Sequence, residues 1–300
     1  MSSLGDNIKI HFAGTEDVAT FKTINEAGVK YCLYSCYRYI KSSPRGDRFC
    51  KNRENLFMPL EAQKKSKHVI MDSGLYTLMF GADSGRKDEK FIFQWQERMI
   101  EFVLDNDLYP TVVECDCQKI IGVNEAWELR TKLRDALPGR RIINVFHYED
   151  GRSGLDKLIE FSDYLAISIP ELRIIFGREE SSKHIINIAK YIKRKKPDID
   201  IHLLGCTDKK ILPYVKWCTS ADSTSWRGLL QWNVLNGPFV GHKTHQILTD
   251  KLDKELRRYI DPIAIECGVT SEKGIQNLEK CYLSARAHLK EYTRYAGPQN

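Results

Sequence analysis

The chain contains no run of about 18 apolar residues, which excludes a membrane-spanning helix, and its first residues, MSSLGDNIKIHF, lack the basic-then-apolar layout of a secretory signal. A cytoplasmic protein with no membrane partner is expected. No GxGxxG and no GxxxxGKS/T occurs, which argues against the phosphate cradles of Rossmann and P-loop nucleotide binders. An early His-x-His pair is also missing, since His11 stands alone, and with it the usual first ligands of a metal-dependent barrel hydrolase. The nine cysteines are odd in number and scattered through apolar runs such as KYCLYSCYRY and VVECDCQK. That pattern fits reduced, buried thiols better than a disulfide framework.

What is present is an ordinary globular composition: 300 residues, 42% hydrophobic and 29% charged, enough apolar material for one large domain or two modest ones, with a single barrel domain over 1–300 the expectation. Lys and Arg number 46 against 40 Asp and Glu, a net +6 that suits a polyanionic partner without requiring one.

Short β-rich runs alternate with longer amphipathic ones. The β runs are 8–14, 29–36, 68–74, 109–117, 141–148, 164–169, 199–206 and 218–226. Helical patterns cover 88–106, 124–136, 153–162, 182–195 and 208–217. Such βαβα order implies a parallel sheet with helices outside it, either doubly wound or closed. The missing phosphate loop, and polar residues closing strand after strand, favour an irregular (β/α)8 barrel of the TIM type. The barrel core is expected over about 8–245, and two helices within about 246–295 are expected to pack on it or close it.

The strand ends read Asp72 and Ser73, Glu114 and Asp116, His147, Ser168 with Glu171, Cys206 and Thr207, then Asp222 and Ser223. Any one of these acids could simply cap the next helix. Their recurrence at strand after strand points to one pocket.

Here the chain resembles the tRNA-guanine transglycosylase superfamily, closest to its DNA-modifying branch of phages and bacteria. MDSGLYTLMFG resembles that family's D-S-G-G-F-Q segment, and VVECDC its acidic base-recognition strand. NVFHYE stands where the family has V-Q-G-G, AISIPEL resembles G-L-A-V-G-E, HLLGCTDKKIL is similar to L-M-G-V-G-x-P-x-x-L, and SADSTSW falls at the nucleophilic Asp. The order and rough spacing agree across residues 68–226.

The resemblance implies an exchange of guanine in a polynucleotide for a free 7-deazaguanine base, the co-substrate, with no other cofactor. Asp222 takes the nucleophile's position, because cleaving an N-glycosidic bond builds positive charge at C1′ that a carboxylate can trap. Asp72 is the general acid/base. Asp116 or Glu114 would accept guanine's N1–H and amino group side by side. His147, replacing a Gln, would donate a ring N–H to the six-position oxygen, and Ser73, Gly74, Ser168 and Glu171 complete the base pocket. The incoming base is left open by the His at this position.

The family's zinc signature, Cys-x-Cys-x-x-Cys with a downstream His, is absent; after Asp222 only Cys267, Cys281, His242, His245 and His288 remain. No metal is expected. With no RNA-reading appendage, DNA is the expected partner and tRNA the alternative; a homodimer is compatible. The run 31–55 interleaves Tyr with Arg and Lys, so Tyr37, Arg38, Arg45 and Arg48 belong either to a nucleotide-binding loop or to a covering flap. Trp226 and Arg227 follow the nucleophile, where the Trp either joins the core or stacks on a base. KYIKRKKPDID, 190–200, reads as a solvated helix end, where cations suit the helix dipole.

Overall fold

The computed structural model describes residues 7–40, 58–75, 88–232 and 254–299. Eight strands form a closed barrel in chain order: β1 (Lys9–Ala13), β2 (Tyr31–Ser35), β3 (His68–Asp72), β4 (Thr111–Val113), β5 (Ile142–Phe146), β6 (Tyr164–Ser168), β7 (Asp200–Leu204) and β8 (Ser220–Ser223). Every pairing is parallel, and β8 returns to β1 with His11 opposite Asp222. All carboxyl ends therefore point the same way. This is the (β/α)8 barrel the alternation implies, with each strand inside its expected run.

Strand parity sorts the side chains. Ala13, Leu33, Ile70, Val113, Val145 and Ala166 share one buried cluster, while Ile10, Phe12, Ile167, Leu203 and Ala221 join the cores between strands and helices. The inward positions also carry polar groups. Residues 11, 68, 202 and 220, on four strands, are His, His, His and Ser, and all but half-buried His68 are fully enclosed.

The helices follow from apolar spacing and caps. Glu89–Asp105 buries Ile92, Trp95, Met99, Phe102 and Val103 on one face, and Asp88 caps it by accepting the Phe91 N–H at 2.9 Å, an interaction worth about 1 kcal/mol. Ile169–Lys195 starts earlier than the expected 182 and kinks at Gly177, whose φ is 73°. The helix expected over 208–217 does not form. Only a 3-10 turn, Leu212–Tyr214, stands there, where Pro213 has no N–H to give to an α-helical ladder.

Two C-terminal helices are present, Lys254–Glu266 and Glu272–Ala296. The second runs beside β1: Tyr292 meets Phe12 edge-on at 5.7 Å, Tyr295 donates to the Thr207 carbonyl at 3.1 Å, and beyond its end Gln299 accepts the Ile10 N–H at 2.8 Å. It fills the eighth outer-helix place between β8 and β1. Among the described residues no helix is long and apolar enough to cross a membrane.

Candidate active site at the carboxyl end of the barrel

Asp72 ends β3 and accepts the Gly74 N–H at 2.9 Å. Gly74 is required there: its φ is +73°, and a Cβ would lie 2.6 Å from the Tyr37 Cβ, so only glycine lets the chain turn back. Burial, and then the charges of Asp222, Glu16 and Asp116, outweigh that hydrogen bond and push the Asp72 carboxyl up to about 6. Four carboxylates thus share one mouth.

Asp222, in β8, is 7% exposed. Its Oδ1 receives the Gly205 N–H at 2.8 Å and faces His202 Nε2 at 3.1 Å. Beneath it, His202 Nδ1 meets Ser220 Oγ, and Ser220 Oγ meets the Tyr164 hydroxyl, both at 2.5 Å. None of His202, Ser220, Tyr164, Gly205 or Glu16 stands out among the sequence-level candidates. The signal was available in the period of two, which places Ser220 below Asp222 and His202 inward beside it.

A second cluster closes β4, β5 and β6. His147 Nε2 bonds Asp116 Oδ1, and its Nδ1 lies 3.3 Å from Glu171 Oε1, which also receives Lys119 Nζ at 2.5 Å. Burial alone would drive the His147 ring neutral, but the hydrogen bonds and charges of the two carboxylates prevail and hold it up to about 10. Burial likewise pushes Glu171 up, yet His147 and Lys119 win and lower it. The ring is therefore an imidazolium with both N–H groups engaged. The expected donation from His147 to a base oxygen has no free N–H to supply it, and the ring instead orients Asp116, whose side chain is 37% exposed.

Glu114 is a correction. Its carboxylate faces outward, where Arg130 Nε contacts both oxygens at 2.9 and 3.0 Å, and the Val145 N–H and Asn144 amide also donate to it. Strand pairing ends at Val113 and the chain turns before Asp116, so the two acids part. Burial pushes Glu114 up while Arg130 pulls against it. Trp226 is a second correction: it is fully buried, packs on Phe12 at 5.8 Å and donates to the Ala13 carbonyl at 2.9 Å, so it belongs to the core and offers no face to a base.

The remaining candidates are placed as follows. Ser73 is buried, and its carbonyl accepts from Trp95 Nε1 at 2.8 Å. Ser168 closes β6 half-exposed, with no side-chain cap bond. Tyr37 leans on Trp95 with ring centroids 6.2 Å apart, and Arg38 is exposed. Arg227 lies over Gly14, where a Cβ would meet its Nη1 at 2.9 Å. Arg45 and Arg48 lie outside the described residues, as do His242 and His245. Among the described residues no group of three or more His, Cys, Asp or Glu is arranged to hold a metal ion. A cavity of about 510 Å3 lined by Asn187, Lys190, Lys193, Arg194 and Trp217 contains none of these residues.

No family model matches the chain, and no curated protein matches it. Solved structures similar to it include one described as a lyase or mutase from Burkholderia cenocepacia J2315, at 13% identity over 90% of each chain with a TM-score of 0.42. DHDPS from Cyanidioschyzon merolae with lysine bound matches at 11% identity, 93% of this chain, 98% of that chain and a TM-score of 0.40. A mutant protein in complex with xylotriose matches at 12% identity, 73% of this chain, 85% of that chain and a TM-score of 0.39. These likenesses assign no activity. Fold and site together define a (β/α)8 barrel with a carboxylate-lined mouth.

Proposed function

We propose that the protein is an enzyme, a base-exchanging transglycosylase that replaces guanine in DNA with a 7-deazaguanine. The observation that carries this reading is the contrast between two carboxylates at one mouth. Asp222 has one oxygen fixed by Gly205 and beside His202, and Asp72, its carboxyl pushed up to about 6, can take up and give back a proton close to neutral pH. Pairs of acids in contrasting environments suit nucleophile and acid/base roles.

Asp222 forms an ester bond to C1′ while the C1′–N9 bond breaks, its electron pair leaving on guanine, which takes a proton from Asp72. The incoming base then gives its N9 proton to Asp72, N9 attacks C1′, and the ester bond returns its pair to Asp222. Asp116 accepts the base's adjacent N–H donors with its exposed side, and His147 holds it in place. Glu171, with Oε2 unpartnered and buried, lies beside the seven-position substituent.

DNA is favoured over tRNA because the zinc-binding Cys triad is absent from the sequence. The test incubates the protein with DNA, tRNA and labelled 7-cyano- or 7-aminomethyl-7-deazaguanine. Label in DNA is expected. Label in tRNA alone would move the substrate to RNA, and tight binding without label in either polymer would leave a non-catalytic binding subunit.

A further inference from the structure

We infer that His202 is the positioning residue of the Asp222 carboxylate, and that Ser220 and Tyr164 fix the ring tautomer that lets it act. The reaction invoked is the transglycosylation proposed above; the geometry stands without it.

With Asp222 ionised and one proton on the ring, the hydrogen bonds run one way. An ionised carboxylate accepts and never donates, so the proton between His202 and Asp222 sits on Nε2. In a neutral ring Nδ1 is then an acceptor, and the hydroxyl 2.5 Å away, Ser220, donates to it. Ser220 Oγ in turn accepts from Tyr164, whose phenol burial pushes up and so keeps protonated. His202 is 0% exposed, Ser220 1% and Tyr164 1%, so water has no ready access to reverse the chain.

The consequence falls on Asp222. Gly205 N–H and His202 Nε2–H both hold Oδ1, so rotating the carboxylate breaks two bonds together and Oδ2 is left to form the ester with C1′. His202 neither gains nor loses a proton in that step. Its part is to keep the nucleophile aimed, as near-attack geometry requires.

The test compares His202→Phe, which keeps a ring without the donor, with His202→Gln, whose amide N–H can replace Nε2–H, and with Ser220→Ala. His202→Phe is expected to slow covalent DNA adduct formation about 10²-fold while leaving DNA affinity unchanged, with Gln recovering most of the rate. Ser220→Ala should fall between them. Separately from turnover, the 15N spectrum of the wild-type ring should show neutral His202 with its proton on Nε2. Full-rate adduct from His202→Phe alongside an active wild type would overturn the assignment. So would a ring protonated on Nδ1, whether neutral or as imidazolium. A wild type that forms no adduct on any polynucleotide contradicts the transglycosylase reading instead, and the ring spectrum still decides the positioning role.

Discussion

Asp72 and Asp222 close the third and eighth strands of one parallel barrel, and after burial the charge of Asp222 is the largest influence raising the Asp72 carboxyl, to about 6. An acid whose pKa is raised on folding costs stability once it ionises. Its unfolded value is near 3.9, so the cost is absent below about pH 4, grows between 4 and 6 and is complete above that. Asp72→Asn keeps an acceptor for the Gly74 N–H and removes the charge. The variant should be more stable than wild type by about 1–3 kcal/mol at pH 8, with the gain gone near pH 4. Urea unfolding at the two pH values checks this, and equal differences at both would contradict it.

His147 is held between Asp116 and Glu171 with a pKa of about 10, above its unfolded value near 6.5. Its charge therefore stabilises fully below pH 6.5, and that contribution is lost as pH rises through 10. His147→Leu leaves two carboxylates facing each other and should cost about 3 kcal/mol near pH 6.5, a gap that closes towards pH 10. In wild type the ring proton resonances should not titrate between pH 5 and 8.5. A midpoint near 6.5 would remove the imidazolium from the account.

Glu114 is held from two sides by Arg130, Asn144 and the Val145 amide. Removing one partner leaves a buried charge alone, so Arg130→Met should destabilise by about 3–5 kcal/mol. Glu114→Leu combined with Arg130→Met should recover much of that loss. Base preference in the double variant should match wild type; a changed preference would return Glu114 to the pocket.

The barrel was legible because each strand is a short apolar run and the phosphate-loop motifs are missing. Asp72, Asp116, His147 and Asp222 were legible for a related reason: a parallel barrel carries every strand end to one face. Neighbour choice was not. Glu114 and Asp116 differ by two residues and share parity on paper, but pairing stops at Val113 and the turn separates them. Trp226 follows a pocket acid directly, yet β8 ends at Ser223 and the chain folds the indole back onto Phe12. Which charge meets which, as with His147 between Asp116 and Glu171, depends on loops whose course periodicity does not encode. The His202, Ser220 and Tyr164 relay was readable from inward parity on β6, β7 and β8, but only once those strands were known to be neighbours.

If Asp222 attacks and Asp72 moves the proton, as proposed, the covalent protein–DNA adduct trapped on denaturing gels should distinguish the two acids. Asp222→Asn should give no adduct with base present or absent. Asp72→Asn should give adduct slowed by about 10²–10⁴-fold. Both variants should still bind DNA, with an affinity that weakens as salt is added. A full-strength adduct from Asp222→Asn, together with none from Asp72→Asn, would contradict the account by reversing the two roles.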